Sequence, residues 1–235
     1  MKALILAAGL GSRLAPLTNS RPKSLIRING KEILAKQIDN LLDNNILDIT
    51  VIAGYLANMT KEFLNSRYPQ VNVIINQEYD ITNNMFSAYL AKDLLNGEAF
   101  FMMNADVFFD SSIIKALLNI KYENAIATDI DNYIEESMKV VSNGDRLVGI
   151  SKAYTAQQCL GTSIDIYKFS GKAGEKFFIK AQQYIEQRNE RKLWSEVAIN
   201  DILLEADFYA CPINDGRWIE IDNHDDLALA NKIFI

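Results

Sequence analysis

The 235-residue chain carries 24 Lys and Arg against 30 Asp and Glu, which gives a net charge of −6. This acidic balance argues against a general nucleic-acid-binding protein, which needs a basic face to displace counterions. A hydrophobic content of 49% can form a core, and no run reaches the ~20 apolar residues of a membrane span. With only two distant cysteines, we expect a soluble, cytoplasmic protein with reduced thiols.

The first half of the chain alternates short apolar runs with segments of helical periodicity. The predicted strands are 3–8, 49–53, 71–75 and 99–103, and the predicted helices are 32–44, 58–66, 84–95 and 111–118. Strands that alternate with helices in this way imply a sheet covered on both faces. We therefore expect an α/β fold with a mostly parallel, Rossmann-like sheet sandwiched by helices.

The pattern changes after about residue 135. Asn143-Gly144 separates two apolar runs, 138–141 and 146–150, and predicts a β-hairpin. A strand at 161–169, a helix at 175–190, a strand at 218–221 and a helix at 225–234 follow, the last opened by Asn223 and Asp226 as a variant capping box. No linker interrupts the chain, so we expect a single domain, 1–235. Its core is 1–134, and 135–235 forms a small mixed β lobe.

A glycine-rich loop follows the first predicted strand, and it bears on chemistry directly. Glycines at the carboxyl end of a parallel strand let backbone N–H groups approach phosphate oxygens. We expect phosphate contacts from Arg13, a planar cation with several donors, and from Lys23, a compact point charge. A dinucleotide turn is the alternative, but Leu14 stands where the third glycine of that fingerprint belongs. The loop residues expected to bind nucleotide are Leu6, Ala7, Ala8, Gly9, Gly11 and Ser12.

Two aspartates, Asp106 and Asp222, follow predicted strands in distant parts of the chain. Ligand sites of α/β sheets lie at the carboxyl ends of strands, and two carboxylates there form a hard oxygen site suited to Mg²⁺. Helix capping is the alternative role for each aspartate. Glu220 and Asp226 are weaker candidates for the same site, and Asp110 is expected to cap the helix at residue 111.

Taken together and in this order, the motifs resemble the nucleotidyltransferase family that activates sugar phosphates, phosphocholine and related small phosphates. The resemblance rests on residues 6–14, Pro16-Leu-Thr18, Arg21-Pro-Lys23, Asn104-Ala-Asp106, Met138-Lys-Val140 and Trp218-Ile-Glu-Ile-Asp222. The short chain is most similar to the CTP-dependent enzymes for phosphocholine, phosphonates and phosphoglutamine. The resemblance implies Mg²⁺ on Asp106 and Asp222, and catalytic roles for Arg13 and Lys23. It also implies further nucleotide contacts at Ser87 and Ala105. A homodimer is common among such enzymes, although the sequence itself does not reveal the oligomeric state.

The dipeptide Asn83-Asn84 precedes the predicted helix at 84–95, and similar enzymes carry it near the nucleobase. An asparagine side chain offers a donor and an acceptor, which suits the edge of a pyrimidine. We therefore expect Asn84 to contact the base. The alternative is an ordinary loop whose asparagines start a helix.

The acceptor site is expected in the second half of the chain. The family uses a lysine of this lobe to bind the acceptor's phosphate, so Lys139 and Lys152 are candidates, although a hairpin lysine is usually solvated. Glu136, Glu196 and Asp201 could meet an ammonium group. Ser137 stands where comparable phosphocholine enzymes carry a Trp. The aromatic residues left to enclose a quaternary ammonium are Tyr133, Tyr154, Trp194 and Trp218. Phosphocholine, phosphonates, phosphoglutamine, inositol phosphate and sugar phosphates all remain open as acceptors.

The reaction implied by the resemblance is attack of an acceptor oxygen on the α-phosphorus of a nucleoside triphosphate, with release of pyrophosphate. A phosphate monoester is largely dianionic at neutral pH, so it needs no general base. We accordingly read His224, the only histidine, as a surface residue. The alternatives are a sugar-1-phosphate nucleotidyltransferase that uses UTP, dTTP or GTP, and a non-catalytic nucleotide-binding regulator.

Overall fold

The computed structural model describes residues 1–235, in which strands and helices alternate through most of the chain. The strands are β1 (Lys2–Ala7), β2 (Arg27–Ile28), β3 (Lys31–Glu32), β4 (Asp48–Ala53), β5 (Asn72–Ile75), β6 (Phe100–Asn104), β7 (Val107–Phe109), β8 (Ala125–Ile130), β9 (Lys139–Asn143), β10 (Arg146–Ser151), β11 (Gly161–Phe169), β12 (Tyr209–Pro212) and β13 (Trp218–Glu220). The α-helices are α1 (Ile33–Asp43), α2 (Ala57–Arg67), α3 (Asn84–Tyr89), α4 (Lys92–Leu95), α5 (Ser112–Asn119), α6 (Gly171–Gln182), α7 (Ser195–Ile202) and α8 (His224–Ile233). None of these helices combines the length and the apolar character needed to cross a bilayer.

Nine strands form one sheet in the order β5-β4-β1-β6-β11-β8-β12-β10-β9. The first four run parallel, whereas β11 is antiparallel to both of its neighbours, β6 and β8. Strands from both sides of residue 135 thus belong to one sheet. The predicted α/β fold is confirmed. Its all-parallel part consists of β5, β4, β1 and β6, and β8 to β12 form a mixed part in which β12 is parallel to β8.

The sheet separates two apolar layers, and strand β1 shows how. Ala3, Ile5 and Ala7 pack into one layer with α1 and α5, while Leu4 and Leu6 pack into the other with α3, α6 and α7. Successive side chains of a strand point to opposite faces, so a strand covered on both faces is apolar throughout. Both layers therefore hold the carboxyl end of β1, from which the glycine-rich loop departs.

Most predicted elements are present with shifted ends, and two helices differ in form. The predicted helix at 84–95 is divided into α3 and α4, and the one at 175–190 begins earlier, at Gly171, and ends in a π-turn, Gln183–Gln187. Ser170 explains the earlier start, because its hydroxyl accepts a hydrogen bond from the Ala173 N–H and caps α6. The predicted hairpin is β9–β10.

A two-stranded ribbon outside the main sheet carries the predicted metal ligands. Strands β7 and β13 pair antiparallel, with Glu220 opposite Val107, and the Ile221 N–H donates to the Asp106 carbonyl at 2.9 Å. The ribbon packs on α8 through an apolar cluster that includes Ile221 and Ala230. Asp106 and Asp222, at the near ends of the two strands, are brought together although they are far apart in sequence.

The start of α8 fixes the backbone of Asp222. Asn223 and Asp226 form the predicted capping box, and Asp226 Oδ2 also accepts from the Asp222 N–H at 2.8 Å. The expectation for Asp110 was wrong, since its carboxylate pairs with Arg217 at 2.9 Å and does not cap α5. Arg217 begins the approach to β13, so this ion pair also ties the ribbon together.

Candidate active site

One cavity of about 420 Å³ lies at the carboxyl ends of β1 and β6. Its lining brings together residues from both halves of the chain. The predicted nucleotide, metal and acceptor residues that line the cavity are Leu6, Ala7, Ala8, Gly9, Gly11, Ser12, Arg13, Lys23, Asn84, Ser87, Ala105, Asp106, Lys152, Glu196 and Asp222. Glu136 and Lys139 lie outside the lining.

Gly11 fixes the shape of the glycine-rich loop. Its φ of 63° is left-handed, and a Cβ at this position would lie 2.8 Å from Lys23 Cβ, so only glycine meets both demands. Thr18 Oγ1 donates to the Gly11 carbonyl at 3.0 Å and holds the turn. Gly9, by contrast, has nothing within 4 Å of its added Cβ, which leaves open space beside the backbone at the cavity wall.

The cations and the predicted metal ligands are in direct contact. Lys23 Nζ lies 2.9 Å from Asp106 Oδ2 and 2.9 Å from Asp222 Oδ1, and Arg13 Nη2 lies 2.8 Å from Asp222 Oδ2. Burial opposes ionisation of Lys23, but the two aspartates outweigh it and raise the lysine pKa above its usual value. Burial also opposes ionisation of Asp222, and Lys23 and Arg13 nevertheless lower its pKa. Lys23 and Asp222 are therefore both charged at neutral pH.

The donor set fits a small divalent cation. One carboxylate oxygen from each of Asp106, Glu220 and Asp222 lies within 4.8 Å of the others, and Asp106 Oδ1 is buried without a hydrogen-bond partner. Oxygen ligands of this kind suit Mg²⁺. Burial, followed by the charges of Asp106, Asp165 and Asp222, raises the pKa of Glu220 to about 9. A carboxyl under such repulsion would be stabilised by a cation at the centre of the group.

Asp165, Glu196 and Glu220 form an acidic wall on the side of the cavity that faces the later strands. Asn104 Nδ2 donates to Asp165 Oδ2 at 3.0 Å, and the Tyr167 hydroxyl lies 2.9 Å from Asp165 Oδ1 and 2.8 Å from Glu196 Oε1. Burial, then Glu196 and Asp106, raises the pKa of Asp165 to about 7. One phenol proton cannot serve two carboxylates at once, so this wall favours an added proton or another cation.

The sequence did not point to Asp165, and its position depends on an irregularity in β11. The pairing of β11 with β8 shifts between Ser163 and Tyr167, and Asp165 itself has a φ of 57°. Aspartate tolerates this left-handed conformation better than most residues do. The irregularity places a carboxylate at the cavity in a strand whose other residues are all buried.

Trp194 and Lys152 stand at the mouth of the cavity, next to the acidic wall. The Trp194 side chain is 45% exposed, and Lys152 Nζ lies 5.2 Å from the centre of its ring. The other aromatic candidates lie elsewhere. Trp218 donates its indole N–H to Asp129 at 2.9 Å. The centre of the Tyr133 ring lies 5.2 Å from Lys139 Nζ, and Tyr154 packs on Gly149.

The remaining acceptor candidates are placed away from the cavity. Lys139 is fully buried, where its ammonium donates to the Glu135 carbonyl at 2.7 Å and burial lowers its pKa. Glu136 is exposed, and Asp201 accepts from the Tyr184 hydroxyl at 2.8 Å. His224 is the exposed first residue of α8, with Nε2 2.9 Å from the Ala15 carbonyl.

Comparisons with known proteins identify the family of this chain. The profile of the family described as "Nucleotidyl transferase" matches residues 2–138. Choline-phosphate cytidylyltransferase of Streptococcus pneumoniae is 37% identical over 99% of this chain and 98% of its own length. CTP:phosphoglutamine cytidylyltransferase of Campylobacter jejuni is 28% identical over 97% of this chain and 98% of its own. The solved structure of CTP:phosphocholine cytidylyltransferase from Streptococcus pneumoniae aligns with a TM-score of 0.81 and 24% identity, over 100% of this chain and 99% of that one. The fold and family predicted from the motifs are confirmed, and the chain belongs to the nucleotidyl transferase family.

Proposed function

We propose that the protein transfers CMP from CTP to a small phosphate or phosphonate acceptor and releases pyrophosphate. The observation that carries this proposal is the single cavity in which the glycine-rich loop, Arg13 and Lys23 face the carboxylates of Asp106 and Asp222. The choice of CTP is supported by the two relatives described above, which match this chain over nearly their whole length.

The chain's own residues act by positioning and by charge. Backbone N–H groups of the loop and the cations Arg13 and Lys23 bind the triphosphate and the leaving pyrophosphate. Asp106, Glu220 and Asp222 would hold a Mg²⁺ ion, which neutralises phosphate charge when bound. An acceptor oxygen forms a bond to the α-phosphorus while the bond to the β-phosphate oxygen breaks, and the electron pair leaves with pyrophosphate. The acceptor arrives as a dianion, so no side chain has to take a proton.

The acidic wall and Trp194 favour an acceptor whose other end is cationic. Carboxylates that repel one another and an exposed indole ring both attract an ammonium group. Lys152, at the same mouth of the cavity, would meet the acceptor's phosphate. An acceptor with an uncharged polyol end would leave the repulsion between Asp165 and Glu196 without compensation.

A pyrophosphate-release assay tests the proposal. CTP, UTP, dTTP and GTP are each paired with phosphocholine, 2-aminoethylphosphonate, phosphoglutamine, inositol 1-phosphate and glucose 1-phosphate in the presence of Mg²⁺. We expect release with CTP and the ammonium-bearing acceptors, and its loss in Asp106→Asn but not in the exposed-site control Asp145→Asn. Release with UTP and a sugar phosphate would favour a sugar nucleotidyltransferase. CTP binding without release from any pair would favour a nucleotide-binding regulator.

A further inference from the structure

The segment 188–194, here called the strap, joins the end of α6 to α7 and forms part of the cavity mouth. It brings Trp194 to the cavity directly, and it precedes Glu196 in the first turn of α7. Both residues belong to the part of the cavity proposed to bind the acceptor, here called the acceptor side, whereas the part around the glycine-rich loop is called the nucleotide side. The contacts that hold the strap therefore determine the position of the acceptor side relative to the nucleotide side.

The dipeptide Asn83-Asn84 contacts both the strap and the start of α7. The Asn83 N–H donates to the Arg191 carbonyl at 3.1 Å, and Asn83 Nδ2 donates to the Lys192 carbonyl at 3.3 Å. Asn84 Oδ1 accepts from the Ser195 N–H at 2.8 Å. Ser195 is the first residue of α7, and no side chain of the adjoining residues caps that helix, so Asn84 satisfies one of its free N–H groups from another helix.

The same dipeptide also starts α3. Asn83 Oδ1 accepts from the Asn84 N–H at 2.8 Å and caps this helix. The two asparagines thus cap two helices at once, α3 on the nucleotide side and α7 on the acceptor side. The predicted helix-start role holds for Asn83, whereas Asn84 is engaged in the contact to α7.

The Asn84 amide is oriented by its neighbours. Its oxygen faces the Ser195 N–H donor, which leaves Nδ2 directed to Asn104 Oδ1 at 3.4 Å, and Asn104 Nδ2 in turn donates to Asp165. These contacts use one lone pair of the Asn84 amide oxygen and one of its two N–H groups. They form a chain of contacts from α7 through Asn84 and Asn104 to the acidic wall.

An ion pair fastens the strap a second time, outside the cavity. Arg191 Nη1 and Nη2 lie 2.7 Å from Glu78 Oε2 and Oε1, a bidentate geometry that fixes direction as well as distance. The Arg191 guanidinium also stacks 4.4 Å from the centre of the Phe86 ring in α3. Arg191 does not line the cavity, so it can affect the acceptor only through the strap.

We propose that Asn84 is a positioning residue for the acceptor, which acts by capping α7 and, with Asn83 and Arg191, holds Trp194 and Glu196 at the cavity. The inference rests on the proposed function for its substrate, and it assigns to the acceptor side a residue that the sequence suggested for the base. Removal of a helix cap costs roughly 1 kcal/mol, so a weakening of acceptor binding by about fivefold is expected.

Two measurements on Asn84→Ala separate the two roles. CTP affinity is measured by calorimetry with CTP and Mg²⁺ alone, and KM is measured for the more active of phosphocholine and 2-aminoethylphosphonate. We expect acceptor KM to rise about fivefold while CTP affinity stays unchanged, and Asn84→Asp, which keeps the capping oxygen, to recover most of the loss. A fall in CTP affinity, or no change in either quantity, overturns the proposal.

Matched variants guard against general damage to the fold. Arg191→Met should raise acceptor KM in the same way. Ser87 lies one turn further along α3 and lines the cavity, so Ser87→Ala should instead weaken CTP binding. In a Trp218→Phe background, Trp194 is the only tryptophan, and Asn84→Ala and Arg191→Met should both increase its quenching by acrylamide. Unchanged quenching in both variants contradicts the proposal. This readout needs no turnover, so an inactive wild-type protein would count against the proposed function and leave the test of the strap intact.

Discussion

Replacing Lys23 by methionine is expected to tighten metal binding to the nucleotide-free protein. The Lys23 ammonium stands 2.9 Å from the carboxylates of both Asp106 and Asp222, so a divalent cation must displace it to reach those oxygens. Methionine keeps an unbranched apolar stem of similar length but removes the charge. The aspartates of the variant are then left without their main internal partner.

The size of the effect follows from the two contacts that the metal must replace. A hydrogen bond to a charged group contributes about 1.5–3 kcal/mol, and about 1.4 kcal/mol corresponds to a tenfold change in affinity. Release of even one such contact therefore predicts a gain of at least about tenfold in metal affinity. The same substitution should lower kcat, because the triphosphate loses a cation.

Titration with Mn²⁺, followed by electron paramagnetic resonance without nucleotide, measures this gain. Lys115→Met removes an exposed lysine and should leave Mn²⁺ affinity unchanged, while Asp222→Asn should weaken binding in both backgrounds. Equal or weaker Mn²⁺ binding by Lys23→Met would refute the reasoning, because the lysine would then not compete with the metal.

Three further results are expected from single substitutions. Gly11→Ala should lower the free energy of unfolding in urea by about 1–3 kcal/mol, because a side chain strains the left-handed backbone and the added Cβ meets Lys23. Gly9→Ala should leave this free energy unchanged and weaken CTP binding. Equal losses of stability in the two variants would contradict this expectation. The pKa of Asp165 is raised from 3.8 to about 7, so the folded protein retains a proton that the unfolded chain releases, and the free energy of unfolding should fall as pH rises between these values. Asp165→Asn should flatten this fall and raise the free energy of unfolding by about 2–4 kcal/mol at pH 8. A steeper fall in the variant would contradict this expectation. Trp194→Ala should raise KM for an ammonium-bearing acceptor while leaving calorimetric CTP affinity intact, and an unchanged acceptor KM would remove Trp194 from the site.

The residues on the proposed nucleotide side of the cavity could be grouped from the sequence because their signals are local. The glycine-rich loop directly follows a strand, and Asp106 directly follows another, so the sheet edge brings them together. Asp222 was also recognised because it follows a predicted strand. The pairing of that strand with β7, outside the main sheet, was not foreseen. A partner strand of three residues, Val107–Phe109, gives too short a pattern to identify.

The proposed acceptor side was less accessible to sequence reasoning because its geometry depends on non-local packing. Asp165 stands within a regular run from Gly161 to Phe169, and only a register shift against β8 turns it into the cavity. Lys139 matched a motif in a hairpin, yet it is fully buried and bound to a backbone carbonyl. The base contact expected of Asn84 stays a prediction, whereas its contact with the Ser195 N–H, 111 positions away, could not be foreseen from local sequence.

The contact between Lys23 and Asp222 spans 199 positions of the chain. Any ligand that bridges these two residues adds a second non-covalent link between the first strand-and-loop unit and the final ribbon, here called the clasp. Unfolding of either end would break the clasp, so ligand binding should raise the melting temperature of the whole domain together. A ligand at a hundred times its Kd adds about 2.7 kcal/mol in this way. Thermal unfolding can therefore rank nucleotides and acceptors before any product is detected.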